Sequence, residues 1–144
     1  MTQEVDRMVF RLAYRMALVD GELSSNEAVL LEVLAKELAL GASEVASLGA
    51  ESERIDYDSL RRVFPERAHQ LRLFETAALL AMADGRSDLE EWRLATRLTQ
   101  ALRMDRAEVE ACLAGARDRL RKLSREHELA PELRANLERQ GLGG

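Results

Sequence analysis

The chain has 144 residues, a formal net charge of −5 and a single cysteine. That length suits one domain with a real core. The acidic balance argues against nucleic acid as a partner, and a lone cysteine excludes an internal disulfide. Aromatics make up only 4% and proline occurs twice, so the composition is that of helices rich in Ala, Leu, Glu and Arg. The start, MTQEVDRMVF, has acids early and no apolar core, so no signal peptide is expected. The longest apolar run, Ala77 to Ala83, is seven residues, far short of the ~20 that cross a bilayer. A cytoplasmic location is the expectation.

Thr2 is placed to cap a first helix, in which Val5, Met8, Val9, Leu12, Ala13 and Met16 fall at helical spacing. Asp20-Gly21 should end it, with Gly21 taking the left-handed conformation favoured there. Ser24 stands three residues before Glu27, a capping-box pattern. The second helix carries Leu30, Leu31, Leu34 and Leu38 and is expected to close at Gly41. Ser43 should open a short third helix with Val45 and Leu48. From Gly49 to Ser59 the chain is polar and reads as a connector. Leu60, Val63 and Phe64 make a short helical turn stopped at Pro65, which suits the first turn of the next helix. That helix should run to about Ala83, with Leu71, Phe74, Ala77, Ala78 and Ala81 facing inward, and end at Asp84-Gly85. Asp88 and Glu91 repeat the capping-box spacing before a helix with Leu94, Leu98, Ala101 and Leu102. Asp105 and Glu108 make a third such start. The final long helix carries Val109, Cys112, Leu113, Ala116 and Leu120, and its end, Arg117 to Glu128, is crowded with charge. Pro131 should break it, and a last short helix closes near Gly141. Nothing alternates strictly between apolar and polar, so no strand is expected, and the short loops favour antiparallel neighbours.

One pattern occurs twice, 64 residues apart. Ala17-Leu18-Val19-Asp20-Gly21 with Glu27 is echoed by Ala81-Met82-Ala83-Asp84-Gly85 with Glu91. Phe10, Ala13 and Ala17 match Phe74, Ala77 and Ala81. Leu30, Leu34 and Leu38 match Leu94, Leu98 and Leu102, and Glu44-Val45 matches Glu108-Val109. Shared leucine spacing alone arises by chance; a shared helix-ending Asp-Gly and a later Glu in register point to an internal duplication. The expected fold is all-α, a compact bundle of about seven helices in two pseudo-repeated halves. It forms one domain over 1–144: repeat 1 at about 5–50, a connector at 50–64, repeat 2 at about 65–115 and a C-terminal helical extension at 116–144.

Asp20 and Asp84 fall at helix C-termini, where an acid is disfavoured by up to ~1 kcal/mol. The repetition invites a reason. Asp can hydrogen-bond the backbone of its own turn, and Glu27 and Glu91 can complete capping boxes with Ser24 and Asp88. Alternatively, Asp20, Glu22 and Glu27, and separately Asp84, Asp88 and Glu91, offer the oxygen ligands of a hard cation such as calcium or magnesium. A true EF-hand is excluded, because its first and third loop positions would be Met16 and Leu18, or Leu80 and Met82. Glu66 and His69 form an E-x-x-H unit, but di-iron bundles need two, and His127 has Ser124 three positions earlier. Cys112 lies on an apolar stripe and should be buried. The basic run Arg117, Arg119, Arg121, Lys122 and Arg125 is interrupted by Asp118, Glu126 and Glu128 and reads as a solvated face. Trp92 is either core or a binding anchor. With no Ser–His–acid set, phosphate-binding glycine loop or Cys/His cluster, a non-enzymatic role is expected.

The doubled A-x-x-D-G-x…E pattern, in an all-helical chain of this length, resembles the TerB-like proteins, relatives of the tellurite-resistance protein TerB. It is also similar to the N-terminal part of some membrane-anchored DnaJ-type co-chaperones. The resemblance covers roughly residues 5–115; the second copy, Ala83-Asp84-Gly85 with Glu91, is the closer match, while the first reads Val19-Asp20-Gly21. It implies an all-α fold of two related halves and acidic residues proposed to bind metal, carried here to Asp20, Glu27, Asp84 and Glu91. Arg86 stands where the first copy has Glu22, which makes the second set less acidic. Three functions follow: a non-enzymatic module binding a divalent cation, calcium or magnesium, in a stress- or envelope-related response; a metal-independent scaffold for a protein partner or a homodimer; and, last, a metal-assisted hydrolase.

Overall fold

The computed structural model describes residues 3–83 and 89–127. Among them are seven α-helices and no strand: α1 (Gln3–Leu18), α2 (Ser25–Glu37), α3 (Ala42–Glu51), α4 (Leu60–Val63), α5 (Arg67–Ala81), α6 (Leu89–Ala101) and α7 (Arg106–Glu126). Two 3-10 turns, Ser52–Arg54 and Tyr57–Ser59, join α3 to α4. The predicted caps at Thr2 and Asp88, the turn at Asp84-Gly85 and the last short helix beyond Pro131 lie outside the described residues.

The 64-residue spacing holds in three dimensions. Helices α2 and α6 begin and end 64 residues apart, and α1 with α5, and α3 with α7, begin in the same register. The turns repeat too. Ala39 and Arg103 both take positive φ, 56° and 49°. The residues after them close matching loops, Leu40 N–H to Ala35 O and Met104 N–H to Thr99 O, each 2.9 Å. This six-residue closure is the Schellman motif. The left-handed closing residue of α2 is therefore Ala39 and not Gly41, which instead precedes the first turn of α3. Backbone bonds supply this turn's geometry, so glycine is not required there. Gly21, by contrast, has φ 87°, as its place after α1 predicts.

Helix α5 is the centre of the bundle. Thr76, Ala77, Ala78, Leu79, Leu80 and Ala81 are all buried, so its second half is enclosed on every side, and α1 and α7 are its principal neighbours. From α1 come Val9, Phe10, Leu12, Ala13, Met16 and Ala17; from α6 Leu94, Ala95 and Leu98; from α7 Cys112, Ala116 and Leu120. Leu30 and Leu34 of α2 join the same cluster. The polar connector also contributes, burying Ile55 and Tyr57, with the Arg97 guanidinium 4.6 Å from the centre of the Tyr57 ring. Gly49, expected at the connector, sits inside α3, where a Cβ would stand 2.9 Å from Cζ of Tyr14.

One guanidinium ties three helix ends together. Arg67, in the first turn of α5, donates Nε to Glu108 Oε2 at 2.8 Å and Nη2 to Glu108 Oε1 at 2.6 Å. Its Nη1 reaches Gln70 Oε1 and the Leu102 carbonyl, each at 2.6 Å, and Nη2 also reaches the Arg103 carbonyl at 3.0 Å. All five donors of the fork are thus engaged. Two go to carbonyls left open at the end of α6, and two make a bidentate pair with the carboxylate that caps α7. In the first half the matching Glu44 is held by Arg7 at 3.3 Å.

Two outcomes are expected. Gly49→Ala forces the Tyr14 ring aside, an overpacking cost of about 1–3 kcal/mol that outweighs a helix-propensity gain of up to ~1 kcal/mol. In Gly115→Ala the new methyl meets only the carboxylate end of Glu75, which can swing away, so thermal unfolding should show Gly115→Ala the more stable of the two. The Arg67 pair, followed by the Asp105 backbone N–H, lowers the Glu108 carboxyl to about 2. A folded pKa below the unfolded one stabilises above the ordinary carboxylate range and loses that stability as pH falls through the folded value. The melting temperature should therefore fall between about pH 5 and about pH 2, and Glu108→Gln should flatten that fall while lowering stability at neutral pH.

Candidate functional site at the Asp-Gly turns

The first Asp-Gly turn is described in full. Asp20 is exposed and its Oδ1 accepts the Glu22 N–H at 3.0 Å, the side-chain turn that an aspartate makes with its own loop. Ser24 Oγ accepts the Glu27 N–H at 3.1 Å, and Glu27 Oε1 accepts the Ser24 N–H at 3.0 Å, completing the capping box read from the sequence. Glu22 is exposed. Of the second set, Glu91 is described and buried, while Asp84 and Asp88 lie outside the described residues.

Glu27 and Glu91 are only 3% and 2% exposed. Capping alone does not demand this. Glu44 and Glu108 occupy the same third position of their helices and each accepts the N–H at the helix start, Gly41 at 3.3 Å and Asp105 at 3.1 Å, yet neither is buried. A carboxylate is taken out of water only where positive charge or hydrogen bonds meet it. Glu27 is met by the Ser24 N–H, and Glu27 and Glu91 hold equivalent buried positions in the first turns of α2 and α6. Among the described residues no three His, Cys, Asp or Glu side chains converge on a point suited to a metal ion.

The start of α2 and the end of α5 meet at one end of the bundle. Asn26, buried in the first turn of α2, donates Nδ2 to the carbonyl of Ala83 at 3.0 Å. Ala83 directly precedes Asp84-Gly85, so a side chain from one half satisfies an open carbonyl past α5 in the other. Sequence reading missed Asn26. Its partner is distant in the chain, and at the matching position the second half has an exposed Glu90, so the repeat gave no signal.

His69 Nε2 lies 3.4 Å from Glu66 Oε2 on the surface, with no metal-sized group of ligands around them among the described residues. Cys112 is buried, as its stripe predicts, with Sγ 3.8 Å from the Leu71 carbonyl. Burial, followed by the negative charges of Glu75 and Glu108, raises its thiol pKa and keeps it unreactive. Trp92 is partly buried against the core. In the basic run, Arg121 pairs with Asp118 at 2.6 Å, Lys122 with Glu126 at 4.0 Å, and Arg119 with Glu37 of α2. No described helix is long and apolar enough to cross a membrane.

The pairing across the halves has a measurable cost. Asn26→Ala leaves a buried carbonyl without this donor and should destabilise by about 1–3 kcal/mol. Glu90→Ala at the matching exposed position should stay within ~0.5 kcal/mol; chemical denaturation compares the two. Comparison with family models, curated proteins and solved structures returned no match.

Proposed function

We propose that the chain is a non-enzymatic module of the TerB-like kind that takes up a divalent cation, calcium or magnesium, through its two Asp-Gly motifs, in a stress- or envelope-related response. The observation that carries this reading is the paired burial of Glu27 and Glu91, set against Glu44 and Glu108, which stand at the same helix position but are only half-buried and lie against Arg7 and Arg67. Asp20, Glu27, Asp84 and Glu91 are the ligands, with Glu22 and Asp88 as further oxygen donors. The doubled register of the helices and their turns supports the family reading, which concerns two related halves.

A second reading has its own support. Asp20 and Glu27 already serve the first turn as backbone acceptors, and a scaffold for a protein partner or a second copy needs nothing more from them. Thermal unfolding of EDTA-stripped protein, with calcium, magnesium, manganese and zinc added in turn, separates the two. A cation that binds only the folded chain should stabilise it by about 2.7 kcal/mol at a hundredfold excess over its dissociation constant, and Asp20→Asn and Asp84→Asn should abolish that shift while leaving the helical signal intact. No shift with any cation sinks the metal reading and leaves the scaffold.

A further inference from the structure

Several described arginines have an acidic partner: Arg72 pairs with Asp6, Arg93 with Glu90 and Arg106 with Glu110. Arg61, Arg62 and Arg103 have none among the described residues and share one place. All three are exposed, no ion pair reaches them among the described residues, and all three line one open cavity of about 520 Å³ with Asp58 and Ala101. They come from separate elements. Arg61 and Arg62 stand on α4, which Leu60 and Phe64 anchor in the core. Arg103 is the left-handed residue that closes α6.

The Arg103 backbone is fixed on both sides. Its N–H bonds to the Gln100 carbonyl at 3.1 Å, and its own carbonyl accepts from Arg67 at 3.0 Å. A non-glycine residue at φ 49° holds a conformation that glycine would adopt without cost. At the matching turn of the first half the residue is Ala39. Arg103 is thus a departure from the internal repeat, and the trio is built where the connector meets the second half.

We propose that this cavity binds a phosphate dianion, the terminal group of a phosphomonoester. Three guanidinium groups against one carboxylate leave an excess of two positive charges, which matches a phosphomonoester carrying nearly two negative charges above its second pKa of about 6. Guanidinium forks suit phosphate oxygens, donating in parallel pairs. The cavity falls within the ~300–1,000 Å³ typical of small-molecule sites, and its lining offers no aromatic platform for a base. The group recognised is therefore the phosphate itself. The backbones that carry these side chains are set by α4 and by the locked turn after α6, so the ordering on binding falls on the three guanidinium side chains.

The test uses the full chain in about 0.1 M salt, where diffuse surface attraction is largely screened. Inorganic phosphate and pyrophosphate are titrated by calorimetry. In a second arm, phosphatidylcholine vesicles carrying phosphatidic acid, a phosphomonoester lipid, are compared with vesicles carrying phosphatidylglycerol, a phosphodiester. Arg103→Gly is the key variant, because glycine suits that backbone and circular dichroism should show the fold unchanged; Arg61→Gln with Arg62→Gln is the second. Phosphate should bind the wild type, and each variant should weaken it about tenfold, as loss of a charge-assisted contact of about 1.4 kcal/mol would. Binding to phosphatidic acid vesicles with the same sensitivity assigns the phosphate to a lipid headgroup; binding of the soluble ions alone assigns it to a free phosphorylated compound. The proposal is overturned if neither arm shows binding, if the folded variants bind as the wild type does, or if both lipids bind equally.

Discussion

Helices α1 and α5 each carry a face of small and medium apolar side chains, and each finds its broadest cover in a helix outside its own pair. Ala13 and Ala17 on one, and Ala77, Ala78 and Ala81 on the other, are at or near zero exposure. Small side chains let the two backbones approach closely, and the surrounding α2, α3, α6 and α7 then enclose the pair. Either half by itself would leave this seam in water, at a cost of about 25 cal/mol per Å² of apolar surface exposed. Every feature at the Asp-Gly end depends on the seam, since it sets α2 of one half beside the end of α5 of the other.

Within that frame the polar contacts divide the labour. Arg67 closes one end of the second half by engaging the last carbonyls of α6 and the capping carboxylate of α7. Asn26 closes the other end across the halves. Both meet backbone carbonyls that helix geometry leaves open. The first acidic turn and the arginine-lined cavity are thus held by elements that are themselves bonded down.

The repeat made much of this architecture legible. Spacing of apolar residues placed every described helix of the two halves, and two of the capping boxes, Ser24 with Glu27 and Asp105 with Glu108, were readable because their chemistry is local. What could not be read was set by contacts distant in sequence. Gly41 looked like a helix end, yet Ala39 turns the chain, because backbone bonds to Ala35 and Lys36 impose the conformation whatever the side chain. Gly49 looked like the start of a loop; it is a helical residue kept bare by the Tyr14 ring. Polar neighbours disguised Ile55 and Tyr57 as connector when both are core. At the candidate site the local acceptor roles of Asp20 and Glu27 were visible, while the burial of Glu27 and Glu91 and the bond from Asn26 were not. A run of basic residues drew notice in α7, where acids balance it, whereas Arg61, Arg62 and Arg103 meet only in the folded chain.

The crowding of Tyr14 against Gly49 reaches beyond its own corner. At the corresponding places the second half has Ala78 and Leu113, the large residue having moved from one helix to the other. Likewise Arg11 faces Glu51 in one half where Glu75 faces Gly115 in the other. Each half has settled its own bargain between bulk and space. A helix transplanted to the corresponding place in the other half would bring two large side chains together, or leave a gap between two small ones. The register therefore repeats in the backbone, but the parts are not spares for one another.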